Sequence, residues 1–580
     1  MTDQHPQWNR EVDLLIAGAG PGGMTAGLVA ALDGLDVLIC EKSQQVGGTG
    51  STSAGTLWIP GNSPGAAAGF TDSAEDARSY LNALIGDDGA VPRRDIFLRE
   101  GPGIIDDLTS RTDLDFVSCG HHPDYRNNLP GAGSSGRAII PAPFDGRVLG
   151  KDFARVRPPI DDYFLLGGMM VSKIDIERLL GRYRSVENFL HSARLVLRYI
   201  ADRLRYARGT RLVMGNALVA QLYYSLKKNH VPILFGTAFK ELIIADGCVT
   251  GAIVSADTDP VRIRARKGVV LATGGFAHNP KFRASFMPDP PPAHSMAVPE
   301  NTGDGIAAAK LAGARLDAGR NQRGGLWSPV SRIRRKDGST GLYPHILLDR
   351  AKPGLIAVDG EGRRFVNEGV SYHDFVEAMY RSNETVPTIP AWLICDLSFV
   401  RKYGLGAIHP GTRSLRKFEK SGYVIRGDNI DGLARRLGID GGTLAQTIAR
   451  HNRFAATGID EDFGKGDTEL NQFNGDPDNR PNPCLAPIDA PPLLPWRCGR
   501  RTSPAARASP PMVMHRCLIP ITARSTGFTP AATIWPPSWR ATILARGPRL
   551  DRRWYSAIAQ QSMRAGKQAR RTTLIANELR

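Results

Sequence analysis

The sequence predicts an α/β fold organised around a parallel sheet, for three reasons. First, residues 13–42 contain two short apolar runs separated by a glycine-rich turn and a stretch of small residues. Second, residues 267–275 form another apolar run that ends in a glycine turn. Third, residues 301–305 open an alanine-rich stretch with helical character. Short apolar runs are typical of buried parallel strands, whose glycine turns meet at one edge of the sheet.

Residues 13–42 have the order strand, glycine turn, helix, strand, acid. In this arrangement Gly18 permits a tight turn, Gly20 allows close approach of a pyrophosphate, and Gly23 lets the helix pack on the strand. The N-terminus of the helix would direct free N–H groups at the phosphates. Glu41 ends the second strand, where a carboxylate can accept hydrogen bonds from a ribose. We therefore predict a dinucleotide site.

Length and composition are those of a globular protein with two or three domains. The chain has 580 residues, of which 42% are hydrophobic and 23% are charged. No apolar run reaches the ~18–20 residues of a transmembrane helix, and the polar start resembles no signal peptide. The seven cysteines have no metal-ligand spacing. This usage favours a reducing, cytoplasmic location and no metal site.

The net charge of +17 is concentrated at one end of the chain. Residues 493–580 contain 16 Lys or Arg against two Asp or Glu, which accounts for +14 of the total. The arginines of this tail are not interleaved with aromatic residues as in a nucleic-acid-binding surface. A nucleic-acid-binding protein is therefore the least favoured reading, and we predict no nucleic-acid partner.

Two loops carry polar side chains suited to binding or catalysis. Residues 42–62 are rich in Gly, Ser and Thr, which suits contacts with a phosphate or a flat ring. The second loop, residues 119–150, contains Tyr125 and Arg137 as candidates for chemistry. Further on, residues 174–226 have the pattern of long amphipathic helices with many arginines. We interpret those arginines as a solvated basic face.

Six motifs, taken together, resemble the flavoproteins of the fumarate reductase and 3-ketosteroid dehydrogenase superfamily. They are GAGPGG, EKSQQVGGTGSTSAGTLWIP, GVVLATGGF, NTGDG, GRRFVNE and GDPDNRPNPCLAPIDAPP. The resemblance implies a Rossmann-like FAD-binding domain with an inserted α+β catalytic (capping) domain. Residues 8–315 would form the first part of the FAD-binding domain, residues 316–485 the catalytic domain, and residues 486–580 the remainder of the FAD-binding domain.

The cofactor implied by the resemblance is FAD, bound non-covalently. Asp304, at the start of a helix, is either an N-cap or a ligand-binding carboxylate. The residues expected to contact FAD are Gly18, Ala19, Gly20, Pro21, Gly22, Gly23, Glu41, Lys42, Gly48, Thr49, Ser53, Gly55, Thr56, Ala238, Ala272, Thr273, Gly274, Gly303 and Asp304.

Position 372 separates the branches of this superfamily. In fumarate reductases the GxRFxNE motif is followed four residues later by an arginine that protonates a dicarboxylate. Here Tyr372 stands in that place, and a neutral phenol cannot clamp a dicarboxylate as a guanidinium does. A tyrosine at this position resembles the 3-ketosteroid Δ1-dehydrogenases. Asp124-Tyr125 resembles the segment that carries the second active-site tyrosine of that family.

The resemblance implies dehydrogenation of the C1–C2 bond in the A ring of a 3-ketosteroid, or of a similar enone or ketone. Tyr372 would remove the proton beside the carbonyl while a hydride leaves for flavin N5, and Tyr125 would assist. The electron acceptor that reoxidises the flavin is not identified by the sequence. Two alternatives stay open: an enoate reductase of the fumarate type, and a flavoprotein remnant without activity.

The tail departs from the resemblance. Relatives end in a glycine-rich FAD segment and a Tyr-Pro-Gly motif, which would hold the substrate carbonyl, and no such motif follows Pro492. Reading the codons of residues 527–548 one nucleotide earlier permits GLYACGNDMASIMAGHYPGPGT, which contains the expected motif. We therefore infer that the coding frame slips near residues 490–496. A misread tail without apolar periodicity is expected to be disordered, and the chain as written is expected to have little activity.

Overall fold

The computed structural model describes residues 7–86, 91–161, 164–256, 259–287, 295–316, 328–335, 338–346 and 349–489, together with strands at 493–498, 521–522 and 542–545. Within these ranges, no helix combines the length and the apolar character that crossing a membrane requires.

The strands are numbered in chain order. They are β1 Arg10–Ala17, β2 Val37–Glu41, β3 Leu57–Trp58, β4 Phe116–Ser118, β5 Ala138–Pro141, β6 Phe144–Asp145, β7 Phe164–Leu165, β8 Met169–Met170, β9 Arg211–Leu212, β10 Ile233–Phe235, β11 Thr237–Ala245, β12 Cys248–Ala256, β13 Asp259–Leu271, β14 Arg315–Leu316, β15 Val330–Arg334, β16 Thr340–Pro344, β17 Leu355–Val358, β18 Ala391–Asp396, β19 Leu493–Cys498, β20 Ile521–Thr522 and β21 Thr542–Ala545.

The α-helices are numbered in the same way, and two 3₁₀ helices cover Gly48–Thr52 and Gly146–Arg155. The α-helices are α1 Pro21–Leu32, α2 Ser63–Ala67, α3 Ala74–Ile85, α4 Val91–Arg111, α5 Lys173–Leu180, α6 Val186–Arg203, α7 Met214–Lys228, α8 Pro280–Phe286, α9 Asp304–Leu311, α10 Tyr372–Asn383, α11 Leu397–Tyr403, α12 Arg416–Lys420, α13 Ile430–Leu437, α14 Gly441–Thr457 and α15 Glu469–Asn474.

The largest sheet has the strand order β10-β2-β1-β13-β12-β11, and β21 also pairs with β13. Strands β10, β2, β1 and β13 are parallel to one another. By contrast, β12 and β11 are antiparallel additions. They form a hairpin that turns at Asp246 and Gly247, whose positive φ angles of 52° and 71° suit a two-residue turn. The predicted parallel sheet is therefore present, and the complete sheet is mixed.

Helix α1 packs on the parallel strands and begins at Pro21, inside the glycine-rich turn that was predicted to precede the helix. Proline is favourable at this first position because its missing N–H would have no helical partner there. The core beneath α1 includes Ile16, Leu28 and Ile39, which are fully buried. Close contact between α1 and the sheet fixes the glycine turn at the carboxyl edge of the parallel strands.

Helix α7 corrects one expectation from the sequence. Residues 174–226 were interpreted as amphipathic helices with a solvated basic face, yet nearly every residue of α7 is buried. Leu218 and Leu222 of α7 belong to the same core as α1. A helix that is buried up to its last turn, where Lys227 and Lys228 reach solvent, has no extended solvated face, so the interpretation does not apply to the second half of this region.

Residues 349–489 surround a second core under the antiparallel strands β17, β18 and β19. Phe375 of α10 and Leu393 of β18 are fully buried there. Phe276 and Ile306, from the region assigned to the FAD-binding domain, pack into the same core. The predicted boundary between residues 315 and 316 stays a prediction.

Beyond residue 489, β19 pairs with β18, β20 with β14, and β21 with β13. The other residues of the tail lie outside the described part of the chain. The expected disorder of the tail therefore stays a prediction, as do the slip of the coding frame and the assignment of residues 486–580.

Candidate active site and cofactor-binding site

The glycine turn between β1 and α1 has the geometry of a phosphate cradle. Gly18 has a φ of +103°, and a Cβ at this position would lie 2.4 Å from the Ala272 carbonyl oxygen. A Cβ on Gly23 would lie 2.0 Å from the Gly18 carbonyl oxygen. At Gly20, the N-cap of α1, a Cβ would meet no protein atom within 4 Å. Of these three glycines, only Gly20 borders open space that a pyrophosphate could occupy at the helix N-terminus, and the cradle fits a dinucleotide.

Glu41 holds the turn as well as facing the predicted ribose site. One carboxylate oxygen accepts the Ala19 N–H at 2.8 Å, and the other accepts the Ser43 N–H at 2.8 Å. Each carboxylate oxygen has a second lone pair, so Glu41 can accept further hydrogen bonds from a ribose diol. The carboxylate therefore orders the backbone on which FAD would lie.

A second wall of the site forms where Lys42 meets α9. The Lys42 ammonium donates to Asp304 Oδ2 and to Thr302 Oγ1, both at 2.7 Å. Gly303 is the N-cap of α9 and has a left-handed backbone conformation. Thr273 Oγ1 accepts the Gly305 N–H at 3.1 Å, which joins the turn after β13 to α9. The predicted residues Lys42, Thr273, Gly303 and Asp304 thus lie together.

Thr49 connects this wall to the loop after β2. Its hydroxyl oxygen accepts hydrogen bonds from Asn301 Nδ2 at 3.1 Å and from the Val298 N–H at 3.3 Å. Gly274 also faces Asn301, because a Cβ on Gly274 would lie 2.6 Å from Asn301 Oδ1. Three segments that are far apart in the sequence therefore converge beside α9.

The remaining predicted cofactor residues occupy different positions. Ala272 donates its N–H to the Ala17 carbonyl at 2.8 Å. Ser53 accepts the Gly55 N–H at 3.1 Å within the loop after β2. In the same loop Gly48 begins the 3₁₀ helix, and Thr56 is exposed. Pro21 and Gly22 are the first two residues of α1, and Ala238 lies in β11. Contact between any of these residues and FAD stays a prediction.

Tyr125 and Tyr372 meet edge to face. Their ring centroids lie 5.6 Å apart, and the ring planes are inclined by 76°. Tyr372 is the first residue of α10, and Tyr125 lies in the turn after Asp124. The positive end of the α10 dipole therefore lies at Tyr372, where it favours negative charge. The two predicted catalytic tyrosines are thus brought together, whereas their catalytic roles stay predictions.

An ion pair fastens the two segments that carry the tyrosines. Arg126, next to Tyr125, donates from Nε to Asp374 Oδ1 at 3.0 Å. Asp374 also accepts from the hydroxyl of Ser371, the N-cap of α10, at 2.7 Å. A charge-assisted contact of this kind sets the spacing between Tyr125 and Tyr372. No sequence pattern indicates this pairing, because its members are 248 residues apart.

The turn that carries Tyr125 is also fixed by contacts with the loop that follows β2. Asp124 accepts the Trp58 Nε1–H at 2.6 Å and the Arg137 Nη1–H at 2.7 Å. Arg137 binds Asp72 as well, and its side chain is almost completely buried. Arg137, a candidate for chemistry from the sequence, is therefore a buried structural cation here. Its ion pairs hold Asp124 and the adjacent Tyr125 against the loop that contains Trp58.

The GRRFVNE motif forms a buried ionic network behind α10. Arg364 binds Glu368 at 3.0 Å and Asp460 at 2.8 Å, and Lys465 lies 3.3 Å from Glu368. Burial alone would raise the pKa of Glu368, but Arg364 and Lys465 lower that pKa from 4.5 to about 2. Glu368 also accepts the Ala357 N–H at 2.9 Å. The motif thus anchors the chain just before Tyr372 rather than contributing a reactive group.

A second buried network was not anticipated from the sequence. His345 contacts Asp349 through Nδ1 and the Ser331 hydroxyl through Nε2 at 2.9 Å. This is the bonding order of a nucleophilic triad, but Ser331 and His345 are completely buried. Burial would raise the pKa of Asp349, but the interaction with His345 holds it below its ordinary value. These separated positions match no motif, and only the structure shows their contact.

Arg350 connects this second network to the tyrosine site. Its backbone N–H donates to Asp349 at 2.9 Å, and its guanidinium donates to the carbonyl of Glu368 at 2.8 Å and of Val370 at 3.2 Å. Val370 lies two residues before Tyr372. The entry of the chain into α10 is therefore held by both buried networks.

The glycine cradle and the mixed sheet fit the class of proteins that bind a dinucleotide cofactor. Residues 13–508 match the FAD binding domain family, and the chain belongs to this family. FAD is accordingly its cofactor.

Three known proteins refine this assignment. The chain is 38% identical to 4-oxocyclohex-2-ene-1-carboxylate 5-dehydrogenase of Sinomonas cyclohexanicum, over 82% of this chain and 80% of that protein. It is 34% identical to 3-oxosteroid 1-dehydrogenase of Mycolicibacterium smegmatis, over 83% of this chain and 84% of that protein. The structure of 3-ketosteroid Δ1-dehydrogenase from Sterolibacterium denitrificans, in complex with 1,4-androstadiene-3,17-dione, matches with a TM-score of 0.77 and 32% identity, covering 84% of this chain and 87% of that one.

A fumarate reductase is a more distant relative. A probable fumarate reductase of Shewanella frigidimarina is 26% identical over 44% of this chain and 40% of that protein. The predicted relationship to 3-ketosteroid dehydrogenases is therefore confirmed, and the reading as an enoate reductase is the less favoured one.

Proposed function

We propose that this protein dehydrogenates the C1–C2 bond in the A ring of a 3-ketosteroid. The observation that carries the proposal is the edge-to-face pair of Tyr125 and Tyr372, with centroids 5.6 Å apart. The Arg126–Asp374 ion pair holds the two tyrosines together, and Asp124 ties Tyr125 to the loop that follows β2. Two phenol groups are thus held close together, and in this proposal one of them is the base that abstracts a proton next to a carbonyl.

The reaction breaks one C–H bond on each of two adjacent carbons. FAD, when bound, supplies the acceptor for the hydride that leaves C1. Tyr372 takes the proton from C2, and the electron pair of that C–H bond becomes the new C1–C2 double bond. The phenolate form of Tyr372 accepts this proton and becomes the neutral phenol, while the electron pair of the C1–H bond leaves with the hydride. The contact with the Tyr125 ring restricts the orientation of the Tyr372 ring, while the two buried networks fix the backbone beneath it.

A smaller ring ketone is the second candidate substrate. The relative from Sinomonas cyclohexanicum is named for the dehydrogenation of 4-oxocyclohex-2-ene-1-carboxylate, and it is 38% identical to this chain. Such a compound and the A ring of a 3-ketosteroid share a six-membered ring with a ketone. The same base and the same FAD chemistry serve both substrates. The two candidates therefore differ in how much space they need beyond the ring that carries the ketone.

Two observations weigh against reduction of a dicarboxylate. Tyr372 stands where a fumarate reductase would have an arginine, and the nearby Arg126 is paired with Asp374. A carboxylate substrate would therefore meet a phenol and a neutralised ion pair instead of a free guanidinium. Desaturation of a ring ketone does not require a free guanidinium at this position.

The test uses a preparation whose spectrum shows bound flavin, with a redox dye as the electron acceptor. A 3-ketosteroid with a saturated A ring, 4-oxocyclohex-2-ene-1-carboxylate, and fumarate with a reduced dye are assayed in parallel. We expect dye reduction with the steroid and a product lighter by two hydrogens. Turnover of the small ketone alone would replace the steroid with the second candidate. Fumarate reduction without any ketone turnover would overturn the proposal.

Because the tail as written is expected to lack the carbonyl-holding motif, the assay is also run on the chain with the repaired reading frame. A repaired, flavin-loaded protein that acts on none of the three substrates would contradict a catalytic role for the tyrosine pair.

A further inference from the structure

Exposed apolar side chains are concentrated in one segment of this protein, residues 164–208, which we call the α5–α6 hairpin. Of the 18 large hydrophobic side chains that are exposed in the described residues, ten lie in this hairpin. They are Leu166, Ile174, Leu180, Tyr183, Val186, Phe189, Leu190, Leu197, Ile200 and Leu204. Single exposed apolar residues are ordinary, whereas a cluster of this size marks an interaction surface.

Helix α6 carries two apolar faces. One face packs inward through Leu195 and Tyr199, which are buried. The opposite face presents five of the exposed residues, and at about 3.6 residues per turn they cover roughly 100° of the helix circumference. These five residues are Val186, Phe189, Leu190, Leu197 and Ile200. The outward stripe is therefore a continuous surface and not scattered exposure.

The hairpin is mounted rigidly, so this stripe is not a consequence of loose packing. Tyr199 donates its hydroxyl to the Leu166 carbonyl at 2.9 Å. Asp202 accepts from Arg147 at 2.6 Å and from the Thr210 N–H at 2.8 Å. Asp175 binds Arg211 at 2.9 Å. These contacts tie both helices to the rest of the protein while their outer faces stay in solvent.

The charges around the stripe are positive. Five exposed arginines of the hairpin make no ion pair with any carboxylate in the described part of the chain: Arg182, Arg184, Arg194, Arg203 and Arg205. Arg182 instead lies over the ring of Tyr183, 4.5 Å from its centroid. The acidic side chains of the hairpin are largely occupied, since Asp175 and Asp202 are buried in ion pairs and Glu187 binds Arg178. The fourth acid of the hairpin, Glu177, is exposed, so the five unpaired arginines outnumber the unpaired acids around the apolar stripe.

We propose that the α5–α6 hairpin docks this protein on the surface of a membrane that contains anionic lipids. An apolar face with arginines at its edge matches the acyl boundary and the headgroups of such a surface. Tyr183 has the amphipathic ring that suits this interface. A second copy is a poorer fit, because a twofold interface would place the same unpaired arginines next to one another. The docking is peripheral and independent of the proposed reaction.

The test is sedimentation of the flavin-loaded protein with phosphatidylcholine vesicles, prepared with and without phosphatidylglycerol. Leu197→Glu replaces a stripe residue that is 66% exposed, so folding should be unaffected. Leu311→Glu is the matched control, because Leu311 is 87% exposed in α9, outside the hairpin. We expect Leu197→Glu to lower vesicle partitioning by about tenfold or more, since one buried leucine contributes on that scale. Leu311→Glu should partition like the unmodified protein.

The basic tail makes this comparison necessary, because its 16 Lys and Arg can attract anionic vesicles on their own. Both variants keep the tail, so a difference between them reports the hairpin alone. Arg194→Gln should weaken binding to phosphatidylglycerol vesicles by about fivefold, as expected for one arginine near an anionic surface, and leave flavin content unchanged. Equal partitioning of Leu197→Glu and Leu311→Glu would overturn the proposal. So would a dimer in ultracentrifugation that Leu197→Glu dissociates, if the unmodified protein does not bind vesicles.

Discussion

Tyr372, the predicted base, lies where several hydrogen bonds anchor the chain to the second core. Its backbone enters α10 immediately after Ser371, which caps the helix through the Asp374 N–H at 3.1 Å. Its ring meets Tyr125, and its preceding carbonyls are held by Arg350. A residue that served only to fill space would not need this much support from both sides of the site.

We expect Tyr372→Phe to lower kcat by about 10²–10⁴-fold, since this is the usual contribution of one general base. The phenyl ring keeps the contact with Tyr125, so flavin content and the unfolding midpoint should be unchanged. Steady-state rates on the frame-corrected enzyme with a saturated 3-ketosteroid measure the effect. Tyr224→Phe, on α7 away from the tyrosine pair, is the control. A rate near that of the unmodified enzyme would make Tyr372 a structural residue.

Gly20 permits a sharp test of the cofactor site. Gly20→Val should leave the protein folded, because a Cβ there meets no protein atom within 4 Å, yet the added methyl groups fill the space predicted for the pyrophosphate. We expect colourless protein with a normal circular dichroism spectrum. Gly103→Val is the matched control, since a Cβ on Gly103 also meets nothing within 4 Å. If Gly20→Val bound flavin stoichiometrically, the phosphate site would not lie beside Gly20.

At the scale of elements, the buried network of Arg364, Glu368, Asp460 and Lys465 holds the segments around β17 together. It links the chain before α10 to the turn after α14, and Lys465 also donates to the Leu355 carbonyl of β17 at 2.6 Å. Removing one member would leave buried charges without a partner, which costs more than losing a surface pair. Stability, rather than chemistry, is therefore the property that this network controls.

We expect Glu368→Gln to lower the free energy of unfolding at neutral pH by about 3–5 kcal/mol. Because the pKa of Glu368 is lowered from 4.5 to about 2 on folding, its stabilisation is present above the unfolded pKa. It is lost as the pH falls towards the folded pKa. Urea unfolding at several pH values should therefore show a shallower acid dependence for the variant.

The control for this prediction is Glu361→Gln, which breaks a neighbouring surface ion pair with Arg363. Exposed pairs contribute about 0–1 kcal/mol, so this variant should unfold almost like the unmodified protein. If both variants unfolded alike, the ionic network would not stabilise this element.

For the molecule as a whole, the predicted misreading of the tail would remove the pair of residues expected to hold the substrate carbonyl. In the earlier reading frame Ile543 becomes Tyr and Gly547 remains Gly, the pair that the resemblance assigns to the substrate carbonyl. Such a donor contributes ~3–4 kcal/mol to transition-state stabilisation in comparable oxyanion sites. The rest of the predicted site, which includes Tyr125 and Tyr372, lies before the point at which the frame is inferred to slip.

We therefore expect the chain as written to turn over a 3-ketosteroid poorly and the frame-repaired chain to turn it over at least about a hundredfold faster. Flavin retention should rise as well, because the repaired tail would restore the glycine-rich FAD segment. Resequencing codons 485–500 tests the inferred slip directly. If the frame is confirmed as written and the 580-residue protein has an ordinary rate, the tail is not needed for catalysis.

The sequence by itself determined the local parts of this protein. The glycine turn at Gly18 and the helix that follows it depend on backbone preferences of adjacent residues, and motif and spacing therefore predicted the dinucleotide cradle. The resemblance of the six motifs named the cofactor and the family before any contact was known.

Only the tertiary structure decided which distant side chains meet. Lys42 pairs with Asp304 across 262 residues, and Arg126 pairs with Asp374 across 248. Packing also decides which side chains are buried. It makes Arg137, a candidate for chemistry, a buried structural cation, and it leaves Leu197 in solvent. The physical reason is that burial and contact depend on how separate elements pack, whereas a sequence pattern records only which residues are neighbours along the chain.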